Sequence, residues 1–166
     1  MKRSDLVALI EGGVGEKGGR WADLGAGEGA FTYALADVLG PASHITAVDR
    51  DARALRSLDA RFDVRVADFT RPLDLHDLDG IVMANSLHFV RDKAPVLESV
   101  RGMLRPGGRL IVVEYDADRG NPWVPYPFTY AQWETMAARA GFKNTRLLST
   151  YPSRWLNGMY SAVSDA

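Results

Sequence analysis

Residues 22–31 read ADLGAGEGAF: an acid, Asp23, and then three glycines spaced two apart, Gly25, Gly27 and Gly29. Glycine loses more conformational freedom on folding than any other residue, so such a cluster marks backbone that turns sharply or lies close against another group. Further along, single polar residues stand at the ends of apolar runs: Asp49 after HITAV, Asp68 after VRVA and Asn85 after GIVMA. His88 follows Asn85 by three residues, and Glu114, Tyr115 and Asp116 close the run RLIVV. Carboxylates accept hydrogen bonds and attract cations, a glycine loop offers backbone amides, and histidine exchanges protons near neutral pH.

These residues need a scaffold that brings strand ends together. Short β-branched runs alternate with helix-like segments along the chain, and no internal repeat or low-complexity linker interrupts them. Strands are expected at 20–24, 44–49, 62–68, 79–86 and 104–116, the fourth and fifth apolar enough to be buried on both faces. Helices are expected at 4–11, 29–40, 51–60 (opened by an Asp51 cap), 92–104 and 129–142. The end, 144–163, reads as two strands around a Tyr-Pro-Ser turn. Alternation of this kind predicts one α/β domain over residues 1–166, a doubly wound, Rossmann-like parallel sheet with helices on both faces. In such sheets ligands bind at the carboxyl ends of the strands, where Asp23, Asp49, Asp68 and Asn85 all fall.

Composition narrows the chemistry. The chain has 166 residues, 46% hydrophobic and 25% charged, with a net charge of −1, so no electrostatic footprint points to nucleic acid or an anionic membrane. With no cysteine, disulfides, thiolate metal sites and a cysteine nucleophile are excluded. Three scattered histidines make no metal site, and His44 and His76 carry no signal. No apolar run is long enough to span a bilayer, and the start, MKRSDLVALIEGG, reads as a small amphipathic helix; a soluble, cytoplasmic protein is the expectation.

The glycine loop admits two readings. GAGEGA satisfies the loose dinucleotide pattern, with Asp49 about 20 residues on where an acid would bond a ribose hydroxyl, as in an NAD(P)-dependent oxidoreductase. Against it, Asp23 would repel a pyrophosphate but could receive a ligand ammonium. The glycines run G-x-G-x-G, VADF supplies a further acid, and LRPGGRLIVVE forms a turn and buried strand. In that order, over roughly residues 18–116, these motifs resemble the class I S-adenosylmethionine-dependent methyltransferases, in particular the small-molecule type 11 or type 25.

The resemblance implies a seven-stranded, mostly parallel sheet whose last two strands form a C-terminal antiparallel hairpin, with S-adenosylmethionine as cofactor and S-adenosylhomocysteine as product. It implies that Asp23, Gly25 and Gly27 hold the methionine part and that Asp49 bonds both ribose hydroxyls. Arg50 would lie beside the adenine, Asp68 would accept from its amino group, and Phe69 would flank the ring. Asn85 would approach the transferring methyl. Any of these acids could instead cap a helix.

Methyl transfer from a sulfonium needs alignment first, and a base only when the acceptor arrives protonated. His88 is the candidate base; the alternative is a histidine that orients the loop or the cofactor. Tyr115 and the aromatic loop NPWVPYP, with Trp123, Tyr126, Phe128 and Tyr130 in or just after it, are candidates for a substrate wall, or else pack over the sheet edge or a second subunit. The Asn-Pro-Trp lies after the fifth strand and not the fourth, so it does not match the motif of DNA amino-methylating enzymes. Only residues 1–19 precede the first expected strand, and no inserted lid is evident. The site is therefore expected to be open, completed by a second copy in a homo-oligomer, or suited to a bulky substrate. The resemblance implies methyl transfer to an O, N or C nucleophile on a small molecule. A domain that binds the cofactor without catalysis is the other reading.

Overall fold

The computed structural model describes residues 1–153, 156 and 158–166. Seven strands form one sheet: β1 (Gly19–Leu24), β2 (Ser43–Asp49), β3 (Asp63–Val66), β4 (Leu78–Ala84), β5 (Leu104–Tyr115), β6 (Lys143–Tyr151) and β7 (Met159–Asp165). Their order is β3-β2-β1-β4-β5-β7-β6. The first five run parallel, and β7 lies antiparallel between β5 and β6. The expected C-terminal hairpin is thus present, although Arg154, Trp155 and Asn157 of its connection lie outside the described residues.

Strict alternation along the central strands feeds two cores. Trp21, Val82, Ile111 and Val113 face helices α1 (Arg3–Ile10) and α2 (Ala30–Leu39). Ala22, Ile81, Met83, Leu110 and Val112 face α3 (Ala94–Met103) and α4 (Tyr130–Arg139). A strand buried on both faces has no use for polar side chains, so β4 and β5 read as nearly unbroken apolar runs. The α4 start is fixed by a capping box: the Thr129 side chain accepts from the Gln132 amide, and the Gln132 side chain from the Thr129 amide.

One local expectation fails. Residues 51–60 form no α-helix, only a single 3-10 turn over Ala54–Ser57. Asp51 accepts from the Arg53 amide at 2.8 Å, but the N-cap of the turn is Arg53, which makes no side-chain cap bond. Leu55 is the only fully buried residue of that segment, which leaves too narrow an apolar stripe to hold a helix against the sheet. The expected third strand is present as the edge strand β3, with Val64 and Val66 exposed.

Candidate functional site

The first four strands end on one rim, and their next residues build a cavity of about 300 Å³. Gly25, Asp49, Arg50, Asp68, Phe69 and Asn85 line it together, so six residues singled out from sequence converge. The glycine loop folds back on β2: the amides of Gly25 and Ala26 both donate to the Val48 carbonyl, at 2.8 and 3.0 Å. Gly25 has φ +86°, and a Cβ there would overlap that of Ser86. No other residue type fits that crossing. Gly27 also has positive φ, but a Cβ there would meet only open space.

Asp49 is held from two sides. One oxygen accepts the Gly27 amide and the other the Asp51 amide, each at 2.8 Å. A carboxylate oxygen has two acceptor sites, so both remain open to further donors on the cavity side. Asp68 accepts from the Thr70 amide and hydroxyl at 2.9 and 2.7 Å, and these bonds hold its carboxyl below the usual carboxylate range. Asn85 adopts φ +51°, a conformation asparagine tolerates better than most residues. Its side-chain oxygen is buried and has no hydrogen-bond partner among the described residues, although the residue lines the cavity.

Asp23 is not part of the cavity wall. It is 1% exposed behind the loop and accepts the Thr32 hydroxyl at 2.7 Å. Burial pushes its carboxyl up to about 6; the Thr32 bond opposes that rise and the charge of Asp49 adds to it. Gly27 likewise serves the loop through Asp49 and does not line the cavity.

His88 lies beyond the Asn85 end of this rim. It is 2% exposed, and its Nδ1 stands 2.6 Å from a carboxylate oxygen of Glu114, itself fully buried. The other Glu114 oxygen accepts the amides of Leu87 and His88 at 2.9 and 3.3 Å. With Glu114 accepting, Nδ1 is the donor of this bond and Nε2 is the ring nitrogen left over. Sequence reasoning placed Glu114 on the active edge without giving it this partner. A lone acid ending a doubly buried strand is the signal that could have found it, because a charge there demands compensation. Ser86, whose hydroxyl donates to the Leu24 carbonyl at 2.9 Å and ties β4 to β1, was missed altogether.

A second cavity of about 300 Å³ is lined by Tyr115, Asn121, Trp123 and Val124, and His88 lines neither cavity. The His88 and Tyr115 ring centroids are 6.0 Å apart. The aromatic loop divides. Trp123 is 73% exposed and Tyr126 exposed, whereas Phe128 is buried against Trp133 and Tyr160, and Tyr130 packs edge-on to Tyr160. The packing alternative therefore describes Phe128 and Tyr130, and Trp123 and Tyr115 share a cavity.

A family model described as a methyltransferase domain matches residues 22–110. The chain belongs to that family and has the class I methyltransferase fold. Among curated proteins it is 26% identical over 187 residues to the fusarielin synthase of Gibberella zeae, covering 90% of this chain. It spans only 7% of that synthase. Among solved structures it matches a methyltransferase of Thermotoga maritima at TM-score 0.79 and 17% identity, covering 98% of this chain and 88% of that one. It matches the CurJ carbon methyltransferase at TM-score 0.76 and 20% identity, covering 95% and 50%. Among the described residues no helix is long and apolar enough to cross a membrane.

The cavity's donor set suits this cofactor. It offers the two carboxylate oxygens of Asp49 for a diol, a second acid, and the Asn85 oxygen that has no partner among the described residues, with the Phe69 ring in the wall.

Proposed function

We propose that this domain methylates a small molecule whose reacting atom arrives protonated: a phenol or enol hydroxyl, or a carbon acid beside a carbonyl. The observation that carries this reading is the buried His88–Glu114 pair at 2.6 Å, whose imidazole centre lies 4.3 Å from that of Phe89 on the first cavity's wall and 6.0 Å from that of Tyr115 on the second's. An acceptor that is already a free amine has little use for such a base.

S-adenosylmethionine supplies a methyl group already activated by its sulfonium. In this reading Asp49 holds the ribose hydroxyls, and Asp68, Phe69 and Arg50 surround the adenine. Gly25 and Asn85 face the methionine part, and Gly27 acts on the site through its amide bond to Asp49. Asp23 stands behind the loop as a buried counter-charge to the ammonium. Nε2 of His88 takes the acceptor's proton while Nδ1–H stays on Glu114, which stabilises the imidazolium that forms. Tyr115 and Trp123 form the acceptor wall.

The test is methyl transfer from radiolabelled S-adenosylmethionine to phenols, 1,3-dicarbonyl compounds, β-ketothioesters and amines. Turnover with the first three classes, lost in His88→Ala while S-adenosylhomocysteine still binds, is the expected result. Turnover confined to amines, or indifferent to His88→Ala, would sink the proposal.

A further inference from the structure

Lys93, just ahead of α3, is only 8% exposed and forms no ion pair among the described residues. Burying an ammonium without a carboxylate is expensive, and burial does lower its pKa, against the pull of the Glu114 charge. Its hydrogen bonds give the compensation. Nζ donates to the Val90 carbonyl at 2.8 Å and to the Tyr126 carbonyl at 3.0 Å, and stands 5.0 Å from the centre of the Phe128 ring. The Tyr126 amide in turn donates to the His88 carbonyl at 2.9 Å.

The three bonds close a circuit. Val90 lies on the cofactor-cavity wall, and Tyr126 belongs to the loop whose Asn121, Trp123 and Val124 line the second cavity. His88 sits between, its amide held by Glu114 and its carbonyl by Tyr126. From the Lys93 side the only reach across these segments is one ammonium with three donors. A neutral side chain of the same length would fill the space and leave two carbonyls without that donor.

We propose that Lys93 is a positioning residue that clasps the 121–127 loop to the His88 segment, so that base and acceptor wall are assembled as one unit. The proposal rests on the reading of His88 as the base, and it assigns Lys93 no contact with substrate. A lysine that only stabilises the fold would have different consequences. Its loss would lower the melting temperature and leave the kinetics and local exchange of the folded protein alone.

The experiment compares wild type and Lys93→Met, well below their melting temperatures, in three measurements. These are hydrogen exchange of peptides covering 86–90 and 121–127, calorimetric affinity for S-adenosylhomocysteine, and turnover of a 1,3-dicarbonyl acceptor. Expected in Lys93→Met are at least tenfold faster exchange in those two peptides, unchanged elsewhere, with cofactor affinity within about twofold of wild type. Turnover falls about tenfold or more, through both kcat and acceptor KM. Wild-type exchange in both peptides overturns the clasp.

Should Lys93→Met fail to fold, Tyr126→Pro and Tyr126→Ala decide. Both lose the exposed ring, and only the first loses the amide donated to His88. Faster exchange at 86–90 in Tyr126→Pro alone supports the clasp, and equal exchange in the two overturns it. His88→Ala separates the two proposals. If it turns over the acceptor normally while Lys93→Met still frees both peptides, the base assignment falls and the clasp remains.

Discussion

On the proposed cofactor side Asp49 and Asp68 are partly or fully exposed, and each accepts from an amide two residues on, Asp49 also from the Gly27 amide across the loop. On the proposed acceptor side the charged groups are buried and joined across the chain, His88 to Glu114 26 positions on and Lys93 to Tyr126 33 positions on. The first arrangement leaves lone pairs facing a cavity, ready for a ligand's hydroxyls. The second spends nearly every donor and acceptor inside the protein and leaves one ring nitrogen over. A ligand grip and a positioned base call for opposite treatments of water: binding groups are most useful open to the ligand, and a base needs its geometry fixed before the ligand arrives.

If that contrast is right, damage to the two sides separates in kinetics. The largest effect is expected from His88→Ala, which should lower kcat by about 10²–10⁴ with unchanged affinity for S-adenosylhomocysteine. Glu114→Gln, which no longer enforces the Nδ1–H tautomer, should fall in the same direction. Loss of cofactor affinity in either variant would erase the distinction between the sides.

Asp23 sharpens the comparison, because it belongs to the cofactor side and yet is buried. With its carboxyl raised to about 6, the folded protein keeps a proton that the unfolded chain has released from about pH 4 upward. Stability therefore falls as pH rises from about 4 to 6, by on the order of 3 kcal/mol. Asp23→Asn should escape that loss and melt higher than wild type above pH 6, while binding S-adenosylhomocysteine more weakly. Chemical denaturation across pH 4–8 with and without ligand measures both; an equal pH slope in the two proteins would show that the buried charge has no such cost.

Asp49→Ala should weaken S-adenosylhomocysteine binding by about 10–100-fold, through loss of charge-assisted bonds and of the carboxylate that orders Gly27. Isothermal titration reads it, and a loss of acceptor affinity alone would contradict the assignment of sides. Trp123→Ala should have the smallest effect. At 73% exposure its removal should change stability within about 0.5 kcal/mol and raise acceptor KM several-fold with kcat unchanged. Steady-state kinetics on the accepted substrate class check it.

Legibility from sequence follows the same division. The parallel order, the glycine loop and the acids at strand ends depend on local patterning: two-sided burial writes long apolar runs, and a polar residue ending each run marks the rim. Residues 51–60 misled because a charged segment with two leucines satisfies a helix pattern without supplying enough surface to bury. Phe128 and Trp123 belong to one aromatic stretch, and nothing in their spacing says that one is buried against Trp133 and Tyr160 while the other stands in solvent.

By itself, then, the sequence determined the α/β alternation, the glycine turn after the first strand and the convergence of Asp49, Asp68 and Asn85 on one edge, because apolar runs and the polar residues that end them are patterns along the chain; that Gly25 admits no side chain was set by its crossing with Ser86. Only the tertiary structure decided that Asp23 lies behind the wall, that His88 is paired with Glu114, and that Lys93 joins two loops. Those are contacts between residues far apart in the chain, fixed by which faces of the sheet the helices cover and which groups are shut away from water, and no local pattern encodes them.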